Sequence, residues 1–224
     1  GLIGLFTNVV ALASSVAGLG FGTVGTRQIA EAAGQDDPQR VATARRALFW
    51  GTLALSVVGA SAVWLLRGVL ARHVLHDPAL APQVGWLALA VALTVAAASQ
   101  NALLNGLRRI GDIARVQIGI AVLSTVLGLL AIWAWVTAGI VAFVIAVPLA
   151  SFVLGHVFVA QLPKVHAPRS DLRELSGQWR TLARLGAAFM VAGLAGVVGQ
   201  LLVRTLVQRD LGADALGQFQ AAWA

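Results

Sequence analysis

The chain is 224 residues long, 58% hydrophobic and only 11% charged, with a formal net charge of +7, a mean hydropathy of +0.84 and a pI near 11.7. A soluble domain carries about 25% charged residues, so this composition excludes a water-soluble globular fold and calls for an integral membrane protein. The basic residues lie between hydrophobic stretches rather than in one patch, which argues for topology-setting charge and against nucleic-acid binding; without cysteine, disulfides, thiolate catalysis and Cys-containing metal sites are excluded.

The chain opens on Gly1 inside an apolar run, and its only methionine is Met190. With no charged n-region and no cleavage site, the start is not a signal peptide. The expectation is a piece of a longer protein, cut at both ends. Six spans follow from length and apolarity: Leu2 to Val24, Ala47 to Leu66, Gly85 to Leu107, Ile113 to Val136, Ile140 to Gln161, and Leu185 to Val207. The predicted fold class is therefore all-α, a polytopic transmembrane helix bundle. Trp50 and Trp64 bracket the second span, Trp86 opens the third, and Trp133 and Trp135 close the fourth, where amphipathic rings suit the headgroup layer.

The first span ends in Gly20, Gly22 and Gly25, a G-x-G-x-x-G spacing. A dinucleotide fingerprint needs a preceding strand, so close helix packing through Gly18 and Gly22 is the favoured reading. Asn8 within the span and Arg27 at its end are polar candidates for a site; anchoring is the rival role for Arg27. Asp37 followed by Pro38 is an N-cap with proline at the first helical position, here expected to start an interfacial helix, and Asp77 with Pro78 repeats the signal on the other side. His73 and His76 are three apart, not the four of a helical zinc pair, and no third ligand is evident; no metal site is expected.

The third span ends with Ser99, Gln100, Asn101 and Asn105. Asn101 and Asn105 share a helix face, and amides in hydrocarbon need partners, either another helix or a wet cavity. Arg108 to Asp112, RRIGD, is read as a tight turn in which Gly111 ends one helix and Asp112 caps the next. Pro148 implies a kink in the fifth span, where His156 is a further ambiguous polar residue. The segment DLRELSGQWRTLARL after Ser170 places Leu172, Leu175, Trp179 and Leu182 on one side, as for a helix that lies on the inner leaflet or braces the bundle. In the sixth span Gln200, Arg204 and Gln208 recur every fourth residue beside Gly193, Gly196 and Gly199, a polar stripe suited to a wet cavity.

Of the 16 Lys and Arg residues, 12 cluster in the loops after the first, third and fifth spans, and Arg67, Arg72, Arg204 and Arg209 lie on the other side. The positive-inside rule puts the first set in the cytoplasm. All nine acidic residues fall in loops or at span ends, so the spans hold no acidic proton relay or paired catalytic acids.

The stretches GLGFGTVGTRQIAEAAG, LLNGLRRIGDIARV and LLVRTLVQRDLGADALGQFQAAW resemble polysaccharide-biosynthesis flippases, the Wzx-type O-antigen translocases of the MOP superfamily. The resemblance runs over most of the chain. It implies two lobes of about six helices in a MOP/MATE-like transporter that alternates between inward- and outward-open states. On this mapping the family's first helix is missing; residues 1–162 are the rest of the first lobe, 163–184 a cytoplasmic amphipathic linker, and 185–224 the start of the second lobe. It implies no enzymatic activity and no cofactor. The implied cargo is an undecaprenyl-pyrophosphate-linked oligosaccharide, moved from the cytoplasmic to the periplasmic leaflet of the bacterial inner membrane, with membrane lipids and the glycan assembly machinery as partners and no nucleic acid. Arg27 and Arg204 would meet the pyrophosphate, whose oxygens suit the planar guanidinium fork, with Gln200, Asn101, Asn105 and Asn8 as further substrate contacts. A lipid II flippase or multidrug exporter of the same superfamily is the nearest alternative. A membrane-embedded glycan polymerase or glycosyltransferase is the alternative from another class, and the short outer loops argue against it.

Overall fold

The computed structural model describes residues 2–35, 37–73, 75, 77–134 and 138–162, with positions 177, 179–180, 184–189, 191–192 and 195 of the remainder. Among them the fold is all-helical: α1 (Leu2–Ala17), α2 (Phe21–Gly34), α3 (Pro38–Leu65), α4 (Arg67–His73), a 3-10 turn (Pro78–Leu80), α5 (Ala81–Gly106), α6 (Ile110–Ala134) and α7 (Ala138–Ala160). Among the described residues four helices are long and apolar enough to cross a membrane, five if α1 and α2 form one broken span. This is a multi-pass membrane protein.

The first span is not the single helix expected from its apolarity. It breaks at Gly18 to Gly20, and α2 leaves α1 at 51°. Leu19 (φ 44°) and Gly20 (φ 65°) both take left-handed backbone, which glycine adopts freely and leucine rarely. Hydropathy along the chain carries no information about φ, so an apolar run hides the elbow. A second reason for glycine here is tertiary: a Cβ on Gly20 would stand 2.7 Å from the carbonyl oxygen of Gly186, so residues 184–189, which are helical, seat on the elbow backbone to backbone. Gly22 lies opposite Ala98 of α5 with room for a methyl, since a Cβ there would stand 3.6 Å from the Ala98 methyl, whereas a Cβ on Gly18 would meet the Ser14 carbonyl of its own helix at 2.9 Å.

Asp37 caps α3 as expected: its side chain accepts from the Gln39 and Arg40 amides at 3.0 and 3.2 Å, with Pro38 at the first helical position. The helix it starts is not a separate interfacial one. It continues unbroken through the second span to Leu65, because nothing between Val41 and Leu48 breaks a helix. Its buried seam is made of small and medium residues, Leu48, Thr52, Ser56, Gly59 and Val63, while Phe49, Leu53, Val57 and Val58 point outward. Small residues inside and large apolar ones outside is the arrangement lipid favours, since packing rather than exclusion of water joins such helices.

Helix α5 is the hub and packs on all the others. It buries Val84, Leu87, Val91 and Val95 with Phe6 and Val10 of α1 toward one end, and Leu103 and Leu104 with Ile29, Val116 and Val159 toward the other. The turn to α6 differs from its reading. The reversal falls on Leu107 to Arg109, with Arg108 at φ 54°, and α6 already begins at Ile110. Gly111 and Asp112 thus lie in the first turn of α6, where Asp112 pairs with Arg109 (3.7 Å) and Arg115 (3.2 Å) and complements the helix dipole. Helices α6 and α7 join through glycine notches, Gly119 beneath Leu154 and Gly128 beneath Phe143.

Trp179 braces the bundle. Its indole Nε1 donates to the Ala47 carbonyl of α3 at 2.9 Å, and the ring packs on the cluster of Phe21, Val24, Leu48 and Ala102. Gly51 makes the room: a Cβ there would meet the Phe21 ring at 2.7 Å and Trp179 at 3.6 Å.

Candidate functional site: a polar cleft between three helices

Helices α2, α5 and α7 diverge around a cleft of about 600 Å³. On α2 it is lined by Gly22, Thr23 and Thr26; on α5 by Thr94, Ala97, Ala98, Asn101, Ala102 and Asn105; on α7 by Val147, Pro148 and Ser151. The polar positions follow from helix geometry. Thr94, Ala98, Asn101 and Asn105 are spaced 4, 3 and 4 apart and form one stripe. Alanines beside the amides keep that stripe low, and Gly22 lies opposite Ala98 at one edge.

Hydrogen bonding inside the helices decides what the cleft can offer. Thr26 and Thr94 donate their hydroxyls to carbonyls one turn back, Gly22 (2.9 Å) and Ala90 (2.8 Å), so their oxygens remain as acceptors. Asn105 donates Nδ2 to the Asn101 carbonyl at 2.8 Å, and its own oxygen has no partner among the described residues. The Asn101 side chain makes no hydrogen bond among the described residues, so it offers both donor and acceptor. Pro148 has no N–H for the Val144 carbonyl, which weakens α7 at the cleft wall. No charged or aromatic side chain lines the cleft among the described residues. Such a surface exchanges hydrogen bonds with a neutral polyhydroxylated ligand at no cost of burying charge.

The expected site residues divide. Asn101 and Asn105 come together here, and among the described residues neither bonds to a neighbouring helix, the role that competed with cavity lining. Arg27 lies one helical turn from Thr23 on α2, outside the lining, exposed and paired with Glu31 at 2.7 Å. Asn8 is on an exposed face of α1, away from the cleft. His156 stacks on Phe152 (centroids 6.3 Å apart) on an exposed face of α7, and His73 is held to the Val69 carbonyl at 3.2 Å. Gln200 and Arg204 lie outside the described residues. Thr23, Thr26, Thr94 and Ser151 were not singled out from sequence. The signal for Thr94 was present, seven residues before Asn101 on the same stripe; Ser151 had none, because a lone serine in an apolar helix normally bonds its own backbone.

Beside the cleft, Gln100 is buried against α7, its Oε1 occupying the space where Gly155 lacks a side chain and finding no hydrogen-bond partner among the described residues. A Cβ at 155 would collide with it, so α5 and α7 touch at this point through an amide and a glycine.

The sequence model of the family described as "Polysaccharide biosynthesis protein" matches residues 1–223. The chain belongs to the polysaccharide biosynthesis protein family. Comparison with curated proteins and with solved structures gave no significant match. In this polysaccharide biosynthesis protein the match takes in the cleft, the elbow and the segment that carries Gln200 and Arg204, so the membership applies to the whole helical arrangement described above.

Proposed function

We propose that this protein is a flippase that carries a polyprenyl-pyrophosphate-linked oligosaccharide of the O-antigen type across the bacterial inner membrane, from the cytoplasmic to the periplasmic leaflet. The observation that carries the proposal is the uncharged cleft of hydroxyls and amides between helices that are otherwise apolar. A sugar chain crossing a bilayer needs its hydroxyls matched along the way, and Thr23, Thr26, Asn101, Asn105 and Ser151 are groups that match them. The polyprenyl tail stays in lipid. The pyrophosphate falls to arginines beyond the cleft, Arg27 one helical turn past Thr23 and Arg204 of the sixth span read from sequence, because the guanidinium keeps its charge and binds phosphate oxygens in pairs.

Transport in this reading is rigid-body alternation of two lobes, residues 1–162 belonging to the first and 185–224 to the second, with 163–184 as the linker. No bond is made or broken. An inside-negative potential favours outward movement of an anion by about 2.3 kcal/mol per charge per 100 mV. Among the described residues no carboxylate is buried, a feature a cationic-drug exporter of the same superfamily would be expected to carry.

The test is complementation of a strain lacking the protein, scored by surface polysaccharide at matched protein level. Asn101→Leu with Asn105→Leu keeps volume and removes the amides; it should abolish most surface glycan, while Asn8→Ala should retain it. Full export by the double variant would refute the cleft as the glycan path.

A further inference from the structure

At the end of α3 opposite Trp179, the last turn of α3, the start of α4 and the first turns of α5 enclose a second, laterally open groove of about 800 Å³. Its floor is Ala60, Ala88 and Ala92, its flanks are Trp64 and Trp86, and Arg67 closes one end. The guanidinium of Arg67 lies over the Trp64 ring, 4.2 Å from its centroid. Gly85 lies directly beside it: a Cβ there would make ordinary van der Waals contact, 3.4 Å from Arg67 Cδ and 3.8 Å from Nη1. Arg67 is half-buried, and among the described residues the ion pairs of the molecule use Arg27, Arg40, Arg109 and Arg115, never Arg67. A cation is thus held in place by stacking, without a counter-charge, at the head of an apolar groove. Around it Leu65 is 73% exposed and Trp86 66% exposed, the signature of a face that lipid covers.

We propose that this groove is a binding site for an anionic glycerophospholipid, its phosphate on Arg67 and an acyl chain between α3 and α5. Three features select that occupant. The unpaired guanidinium asks for a net anion, and phosphate offers it paired acceptor oxygens. The two tryptophans set the groove at the headgroup layer, where a lipid phosphate lies and a free ion would leave the apolar floor unused. The stacking face of Trp64 is already filled by Arg67, so the ammonium of a zwitterionic headgroup gains no aromatic contact on that face and adds repulsion.

The experiment uses the full-length protein in phosphatidylcholine vesicles containing phosphatidylglycerol with a photoactivatable acyl chain, followed by mapping of the adducts. Adducts should concentrate between residues 60 and 92. They should fall at least about tenfold in Arg67→Gln, the loss of about one charge-assisted hydrogen bond, and comparably in Gly85→Leu, which fills the groove and keeps the charge; Arg67→Lys should lie between. Unlabelled phosphatidylglycerol should compete and unlabelled phosphatidylcholine should not. Melting temperatures near that of the parent protein establish that both variants fold. Four results would overturn the proposal: equal competition by inorganic phosphate, meaning an ion site; displacement by far less undecaprenyl pyrophosphate, meaning a carrier site; adducts indifferent to both variants, meaning bulk lipid; or no adduct at these residues, meaning that another segment of the protein covers them.

Discussion

The contact that closes α1 on α3 can be moved from one helix to the other. Gly59 of α3 faces Ala17, the last residue of α1, and a Cβ built on Gly59 would stand 2.5 Å from the Ala17 methyl, about 0.9 Å inside the 3.4 Å at which ordinary contact begins. Its other neighbour, Val91 Cγ1 at 3.6 Å, already tolerates a methyl. Gly59→Ala alone should therefore push α1 off α3. Overpacking costs about 1–3 kcal/mol, offset by about 1 kcal/mol for replacing a helical glycine, a net loss of up to about 2 kcal/mol. Ala17→Gly alone should cost about 0.5–1 kcal/mol through backbone entropy. The double variant carries the methyl on α3 instead of α1, so it should return close to the parent, with a coupling of about 1–3 kcal/mol. The assay is unfolding in mixed detergent–dodecyl sulfate micelles followed by tryptophan fluorescence, Trp50 and Trp64 being on α3 itself. Additive effects of the two substitutions, with no coupling, would mean that α1 does not end against Gly59 and that the elbow is misplaced.

Other outcomes follow from the same structure. Trp179→Phe keeps the ring on Phe21 and Leu48 but loses the bond to the Ala47 carbonyl, and should cost about 0.5–1.5 kcal/mol in that unfolding assay; Trp179→Ala should cost more, and equality of the two would show that the hydrogen bond alone anchors the segment. Because the chain has no cysteine, single cysteines at Gln35 and Ala79 report topology without background: an impermeant thiol reagent added to intact cells should label position 79 and spare 35, and the reverse pattern would invert the orientation. Arg204→Ala should insert and accumulate normally yet lose surface glycan, with partial recovery in Arg204→Lys; undiminished export would leave this arginine an interfacial anchor.

What sequence made legible was local. The caps at Asp37–Pro38 and Asp77–Pro78 are seen as read, because a carboxylate followed by proline satisfies the first amides wherever the helix goes. The third to fifth spans are α5, α6 and α7, and Trp179 packs against the bundle, while Leu172, Leu175 and Leu182 of its amphipathic segment lie outside the described residues. What sequence concealed was set by contacts between distant residues. The elbow at Gly18 to Gly20 rests on left-handed backbone at Leu19 and Gly20 and on the close approach of Gly186, neither of which hydropathy records. The turn at Arg108 shifted by a few residues because Asp112 serves the new helix through ion pairs within its first turn rather than as a cap. The cleft was half visible: the amides announce themselves in an apolar span, but the threonines of α2 become lining only because α2 bends away from α1 and meets α5.

The central claim is translocation, and its most direct measurement is in proteoliposomes. Full-length protein is reconstituted with a fluorescent undecaprenyl-pyrophosphate-linked oligosaccharide placed in one leaflet, and the fraction accessible to an impermeant quencher is followed with time, alongside the length of the glycan. The account predicts transfer between leaflets that depends on the protein, is lost in Asn101→Leu/Asn105→Leu, and leaves the glycan unchanged. A longer or modified glycan, or no movement above protein-free vesicles under an inside-negative potential, would contradict it.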